Sequence, residues 1–353
     1  MTTSLVDDAR EIADGVLYPA SLDVDRTGRI PDTHWQALAD AGLYGIAAPA
    51  ERGGPGLDFG TLVEILELVA SGCLATAFTW VQHHGVLASL CGSANTALRD
   101  EWVPALTAGR VRGGVAFAGA VPIPTRMRAE RERVPGRAER RGSSGWRLSG
   151  HAPFVSGWGV IDVLQVSAVD VDTGDIVAGM VPAEAAPGIT AITPQELSVA
   201  DATKTVSLDV DGLVIPDERV VSRVTRADFM ANQNFGSRLN GTLPIGVALR
   251  CAALLDEAGR GEEASAVLAD VGVVRGRLDA GLGDSARLLE ARADGAELAV
   301  RASSALVASV GGAAILRSSP AQLLARNAMF TLVAASRPEL KSSLLQRFAR
   351  QRA

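Results

Sequence analysis

Residues 145–168 read GWRLSGHAPFVSGWGVIDVLQVSA, a run of Val, Ile, Trp and Phe broken by glycines. Such a run predicts strands and turns. It lies between two long regions of helical spacing, so the chain is divided into helices, strands and helices again. A switch of hydrophobic period from 3.6 to 2 and back limits the possible folds more than any single motif does. By itself it supports helices flanking a β region.

In the first third, Thr33 and Gln36 form a candidate capping box before WQALADAG, and Gly42 stands where that helix should stop. Leu62, Ile65, Leu66 and Val69 follow the i, i+3, i+4, i+7 pattern, with Glu64 and Glu67 off the stripe. Ala75 to Leu90 is apolar nearly all round, which predicts a helix buried among others. Leu98, Trp102 and Leu106 make one more stripe, and Gly42 to Gly56 is a Gly/Pro-rich connection. In the middle third, strands are predicted at Val115–Ala118, Trp146–Ser156 with a turn at Ser149–Gly150, Val163–Val169, Ile176–Val181 and Thr205–Pro216. The last of these alternates Val206, Leu208 and Val210 inward with Ser207, Asp209 and Asp211 outward. Helical spacing returns over Leu243–Leu255, Ala264–Leu278, Ala286–Val310 and Ala321–Ala334, with Pro244 in a first turn or at a kink.

A chain of 353 residues is expected to form two or three packed units. With 47% apolar but only 4% aromatic residues, its core must be aliphatic. The net charge of −6 argues against a nucleic-acid partner. Cys73, Cys91 and Cys251 have no paired metal spacing and read as buried thiols of a reducing compartment. No metal site is expected. The start, MTTSLVDDAR, lacks an apolar signal core, and no uninterrupted apolar run reaches the ~20 residues of a membrane span. A cytoplasmic location is the expectation. Arg126 to Arg141 holds seven arginines with Glu130, Glu132 and Glu139 and no aromatics. It reads as a solvated β-loop, with a ligand's phosphate group as the alternative partner.

Three strings carry a resemblance to a known family. GLYGIAAPAERGGPG (42–56) resembles a GLxGxxxPxxxGGxG signature, FVSG (154–157) resembles a Trp-aliphatic-Thr/Ser-Gly string with Phe154 in the place of tryptophan, and VDGLVIPDERVV (210–221) resembles a closing β signature. In this order they resemble the acyl-CoA dehydrogenase family. The resemblance implies an α+β fold with an N-terminal helical domain (1–112), a middle antiparallel β domain (113–222) and a C-terminal four-helix bundle (223–353). It implies FAD as cofactor and an acyl-CoA or acyl-carrier thioester as substrate. It further implies a homodimer or homotetramer, with a hetero-oligomer as the alternative. The implied reaction is α,β-desaturation: a base takes the α-proton while the β-hydrogen leaves as hydride to flavin N5.

The resemblance also distributes roles. Ser156 would donate near flavin N5 or O4, with Phe154 over the ring and the backbone of Phe117 to Gly119 at the pyrimidine edge. For Ser156, an ordinary strand ending in a bend is the competing reading. Gly311 and Gly312 match a GG turn near a neighbouring subunit's cofactor, or a plain helix C-cap. The family's catalytic glutamate position, counted from Arg326-Asn327-Ala328, falls on Ala335. A second known location falls near Gly236 and Ser237. Glu339 is the acid closest to the first location, and a helix N-terminal carboxylate is its alternative reading. Flavin monooxygenases of this fold use a histidine in the region of His83 and His84, which otherwise read as one core and one exposed ring. Three readings follow: a dehydrogenase, a degenerate or partner-dependent subunit, and a two-component flavin monooxygenase.

Overall fold

The computed structural model describes residues 2–118, 120, 126–133 and 144–349. The first helical region holds α1 (Thr2–Ile12), a π-helical turn at Ala13–Leu17, α2 (Tyr18–Thr27), α3 (Asp32–Asp40), α4 (Phe59–Gly72), α5 (Leu74–Cys91) and α6 (Thr96–Thr107). Asp58 caps α4 by accepting the Thr61 N–H at 2.9 Å. The α5 helix is buried on nearly every side, as its unbroken apolar composition predicts. Gly42 stands just past α3 at φ 70°, the left-handed stop expected there. The capping box is not used. Pro31 caps α3 without a side-chain bond, and Gln36 instead bonds Asp40 one turn on, at 2.6 Å.

Among the described residues, eight strands form one sheet: β1 (Gly113–Ala116), β2 (Met127–Arg133), β3 (Ser144–Val155), β4 (Val163–Asp170), β5 (Ile176–Pro182), β6 (Ile189–Pro194), β7 (Val206–Pro216) and β8 (Val220–Val224). The order is β6-β7-β3-β2-β4-β5-β8, with β1 on β4. The sheet is mixed rather than purely antiparallel, because β1 and β2 both pair with β4 in parallel. Both occupy the same edge of β4, at opposite ends of it. Ser149–Gly150 is not a turn. It lies inside β3 at a register shift against β7, and Gly150 takes φ 133° opposite Met127. A Cβ there would sit 1.8 Å from the Arg126 carbonyl oxygen, so only glycine fits. The start of the arginine run is the strand β2, which pairs with β3; residues 134–141 lie outside the described residues.

The second helical region holds α7 (Arg226–Asn240), α8 (Thr242–Glu257), α9 (Gly261–Ala280), α10 (Ser285–Val310), α11 (Pro320–Thr331) and α12 (Pro338–Ala349). The four expected helices are α8 to α11, with Pro244 in the first turn of α8. Two more, α7 and α12, pack against α10. The segment Ser285–Ile315 is long and apolar enough to cross a membrane by length and composition, and one side of it is buried against its neighbours. Cys73 and Cys251 are buried free thiols, and Cys91 is half-buried.

The two helical regions share one core, and a charge sits inside it. Glu67 on α4 has no exposed surface, although its spacing puts it off the apolar stripe. It accepts from Arg275 Nε at 2.9 Å and Nη2 at 2.5 Å. Arg238 on α7 is also fully buried, 3.8 Å from Glu67, and donates through Nε to Asp279 at 2.7 Å. Burial pushes the Glu67 carboxyl above its ordinary value, while Arg275 and Arg238 hold it down. Removing one member of such a cluster leaves buried charge uncompensated, which costs about 3–5 kcal/mol. Glu67→Gln should lower unfolding free energy in urea by that amount. Glu64→Gln, one turn away and half exposed, should change it by less than about 0.5 kcal/mol.

Candidate functional site

The end of β3 is irregular. Its register against β7 shifts between Ala152 and Val155, and the bulge carries Phe154 outward. Phe154 adopts φ 53° with 68% of its surface exposed. An aromatic residue in the left-handed region is strained, by about 1–2 kcal/mol. Ser156, two residues on, is buried. Its hydroxyl lies 2.6 Å from that of Thr205, which lies 2.9 Å from that of Thr203. All three side chains are buried. Gly157 takes φ 91°, and a Cβ there would meet Ile161 at 2.8 Å and Thr79 of α5 at 3.2 Å.

The segment before β7 forms the other wall. The Gly157 and Trp158 N–H groups donate to the carbonyls of Thr203 (2.6 Å) and Lys204 (3.2 Å). Ala200 and Lys204 both have positive φ, so this short turn is strained as well. Arg326 on α11 secures it by donating to the Ser198 carbonyl at 3.2 Å while pairing with Asp25 of α2 at 2.9 and 2.6 Å. Neither Thr203, Thr205 nor the Asp25 pair is flagged by the sequence reading. The hint available was the repeated Thr-Lys-Thr before an alternating strand.

Among the described residues, β1 lies beside β3 without sharing a ladder with it. Phe117, at the end of β1, is half-buried, and its carbonyl accepts the Ala120 N–H at 2.9 Å. Gly119 lies outside the described residues. Gly311, at φ 68°, ends α10 with its N–H on the Val307 carbonyl, and a Cβ on it or on Gly312 would meet nothing within 4 Å of this chain. Within one chain, therefore, the pair is a helix C-cap, far along the sequence from β3 and flanked by exposed Ile315 and Leu316.

His83 is committed to structural hydrogen bonds, whereas neither ring nitrogen of His84 has a partner. His83 donates from Nε2 to the Tyr44 carbonyl and accepts the Gly113 N–H at Nδ1, both at 3.2 Å. A carbonyl only accepts and an amide only donates, so the neutral Nε2–H tautomer is fixed and no ring nitrogen is left for a ligand. The adjoining cavity is about 10 Å³, room for a water rather than a substrate. His84 has no exposed surface and sits edge-on to Trp80, ring centroids 4.3 Å apart. Both rings are core groups, which corrects the expectation of one exposed ring.

No carboxylate replaces the missing base at the positions considered. Ala335 has φ 47°, and the Ala334 and Ala335 carbonyls accept from buried Arg292 at 3.1 and 3.3 Å. Burial, with a contribution from Arg337, lowers the Arg292 guanidinium to about 10. Gly236 and Ser237 lie on α7, and Ser237 is buried. Glu339 is exposed in the first turn of α12, 3.8 Å from Arg337, in the setting of a helix N-terminal carboxylate.

Residues 2–110 match the family profile described as acyl-CoA dehydrogenase, N-terminal domain. These N-terminal residues are thus similar to the acyl-CoA dehydrogenase N-terminal domain. The chain is similar to the mitochondrial isovaleryl-CoA dehydrogenase of Pongo abelii, 25% identical over 123 residues, which cover 33% of this chain and 29% of that protein. It is also similar to the mitochondrial very long-chain specific acyl-CoA dehydrogenase of Homo sapiens, 23% identical over 208 residues, 57% of this chain and 31% of that protein. The matched segments thus span under a third of either relative. Over the whole chain the fold is that of a glutaryl-CoA dehydrogenase from Mycobacterium smegmatis in complex with FADH2, with TM-score 0.81, 16% identity, and coverage of 100% of this chain and 95% of that one.

Two measurements probe the strain and the buried rings. Phe154→Gly relieves a left-handed aromatic while losing little buried surface, so it should stabilise the fold by up to about 1 kcal/mol, whereas Phe154→Val should destabilise it. A clear loss of stability in Phe154→Gly, read by denaturant unfolding, would show that the ring is held by packing. Burial also lowers His34 and His83 from their ordinary 6.5 to about 4. Both are therefore neutral when folded, and the unfolded chain takes up protons first. Their contribution is fully present above pH 6.5 and is lost as pH falls towards 4, by up to about 3 kcal/mol per ring. Unfolding free energy followed from pH 7 to 4 should show a shallower acid decline in His83→Gln than in wild type.

Proposed function

We propose that this chain binds FAD at the end of β3 and acts as an oxidoreductase on an acyl thioester, carried by CoA or by an acyl carrier. The observation that carries the reading is the buried Ser156 hydroxyl beside exposed, strained Phe154, at the positions where FVSG resembles the family's flavin-facing string. The FADH2 complex among the structural relatives supports a flavin at this fold's site. The residues present suit a flat ring with polar edges. Ser156 would hydrogen-bond the edge, Phe154 would cover a face, and the Phe117 backbone would lie at the far end. When bound, the flavin supplies the hydride acceptor. Gly311 and Gly312 would meet the dinucleotide of a second copy, in keeping with the exposed Ile315 and Leu316 beside them.

What the chain lacks is the proton acceptor. Desaturation needs a base within ~3 Å of the substrate's α-carbon, and a positioned base contributes about 10²–10⁴-fold. Ala335, Gly236 and Ser237 cannot serve, and Glu339 is exposed and paired with Arg337. These positions favour, as the second reading, a subunit that keeps its cofactor site and relies on a partner for the base. The buried His83 and His84 give the monooxygenase reading no support.

Anaerobic titration with a panel of acyl-CoAs tests this. Wild type should hold flavin but bleach slowly, Glu339→Gln should bleach at the same slow rate, and Ala335→Glu should gain at least about tenfold. Rapid bleaching of wild type that survives Glu339→Gln would show that the base lies elsewhere in the chain. A protein without flavin after reconstitution would overturn the reading altogether.

A further inference from the structure

Ser156 does not stand alone. Its hydroxyl is the last of three in a buried row, with Thr205 at 2.6 Å and Thr203 at 2.9 Å beyond it. Each hydroxyl has one proton and two lone pairs, so a row of three can be ordered in either direction. Ordered one way, Thr203 donates to Thr205, Thr205 donates to Ser156, and the Ser156 proton is free to point at an acceptor. Ordered the other way, Ser156 donates to Thr205, Thr205 donates to Thr203, and Ser156 offers a lone pair to a donor. The backbone holds the row in place. Gly157 N–H is fixed to the Thr203 carbonyl at 2.6 Å, Lys204 is strained at φ 48°, and the Arg326–Ser198 contact pins the start of the segment.

We infer that Thr203 and Thr205 are positioning residues that make Ser156 a reversible hydrogen-bond partner, donor to an oxidised ring nitrogen and acceptor from the same nitrogen once it is reduced and carries a proton. The inference rests on the proposed flavin site. It adds two residues and a reason for three hydroxyls where one would reach the ring. An isolated Ser156 would rotate freely between its own backbone, water and the ligand. In the row, its partner is fixed on one side, and each bond polarises the next.

The test compares binding of oxidised and of anaerobically reduced FAD, by fluorescence and calorimetry, to wild type, Ser156→Ala, Thr205→Val, Thr205→Ser and the Ser156→Ala/Thr205→Val double variant. Thr205→Val should weaken both forms by about three- to tenfold, the size of one net hydrogen bond. Thr205→Ser should restore both. In the double variant, Thr205→Val should add nothing beyond Ser156→Ala, because Thr205 acts through Ser156. A structural role for Thr205 would instead weaken binding again on the Ser156→Ala background, and that additivity overturns the inference. Unchanged affinity in a folded Thr205→Val protein overturns it too, while leaving the flavin site standing. Absence of flavin binding by wild type overturns the site and the row together. Should Thr205→Val not fold, Thr205→Cys against Thr205→Ser makes the same comparison at near-equal volume, with weaker binding in the thiol variant expected.

Discussion

A carboxylate with no access to water, Glu67, fixes how the two helical regions meet. An ionised group in an aliphatic core is tolerated only when its partners are delivered to it, and those partners come from α7 and α9. The pairing therefore selects one arrangement of α4 against the second helical region. The neighbouring contact obeys the same geometry: Gly246 of α8 lies so close to α4 that a Cβ would come within 2.5 Å of Ala70 Cβ. With α4 and α8 in register, α5 is buried between helices and sheet. Thr79 on α5 then lies against Gly157 at the end of β3. The site at β3 is thus positioned by a charge cluster belonging to other elements.

The parts legible in sequence were those that depend on nearby residues. The stripes of α4 and α6, the all-round burial of α5 and the alternation of β7 follow from spacing alone. Misreadings occurred where a distant partner decides. Glu67 reads as a solvated residue because Arg275 is 208 positions away. Ser149–Gly150 reads as a turn because the need for glycine comes from the Arg126 carbonyl across the sheet. Thr33 and Gln36 satisfy a capping pattern, yet the chain starts α3 two residues earlier, on Pro31. At the site, FVSG pointed to Ser156, whereas Thr203 and Thr205 are adjacent to it only through the β3–β7 pairing.

Strain is concentrated around that site. Of the four non-glycine residues with positive φ among the described residues, Phe154, Ala200 and Lys204 frame the Ser156 hydroxyl row, and the fourth is Ala335. Such conformations persist only where the surroundings over-determine them. Here the β3 bulge, the Arg326–Asp25 pair and the backbone bonds from Gly157 and Trp158 supply that constraint. An exposed aromatic ring held in a disfavoured backbone conformation gains little for stability. The flavin site proposed above would use that ring as its flat surface.

Ala335 belongs to the same pattern but with opposite chemistry. Where the family resemblance places an acid, this chain has a small residue whose carbonyl is gripped by a buried arginine. Arg292 is fully desolvated and has Arg337 nearby as a like charge. Carbonyl oxygens are weak compensation for a buried cation, and a carboxylate would be a stronger one. The turn therefore has an electrostatic demand for negative charge that its own sequence leaves unmet. A carboxylate brought there by a partner subunit or by an anionic ligand would be stabilised in its ionised form. The partner-supplied base of the second reading proposed above would meet that demand, with Arg292 as the group that receives it.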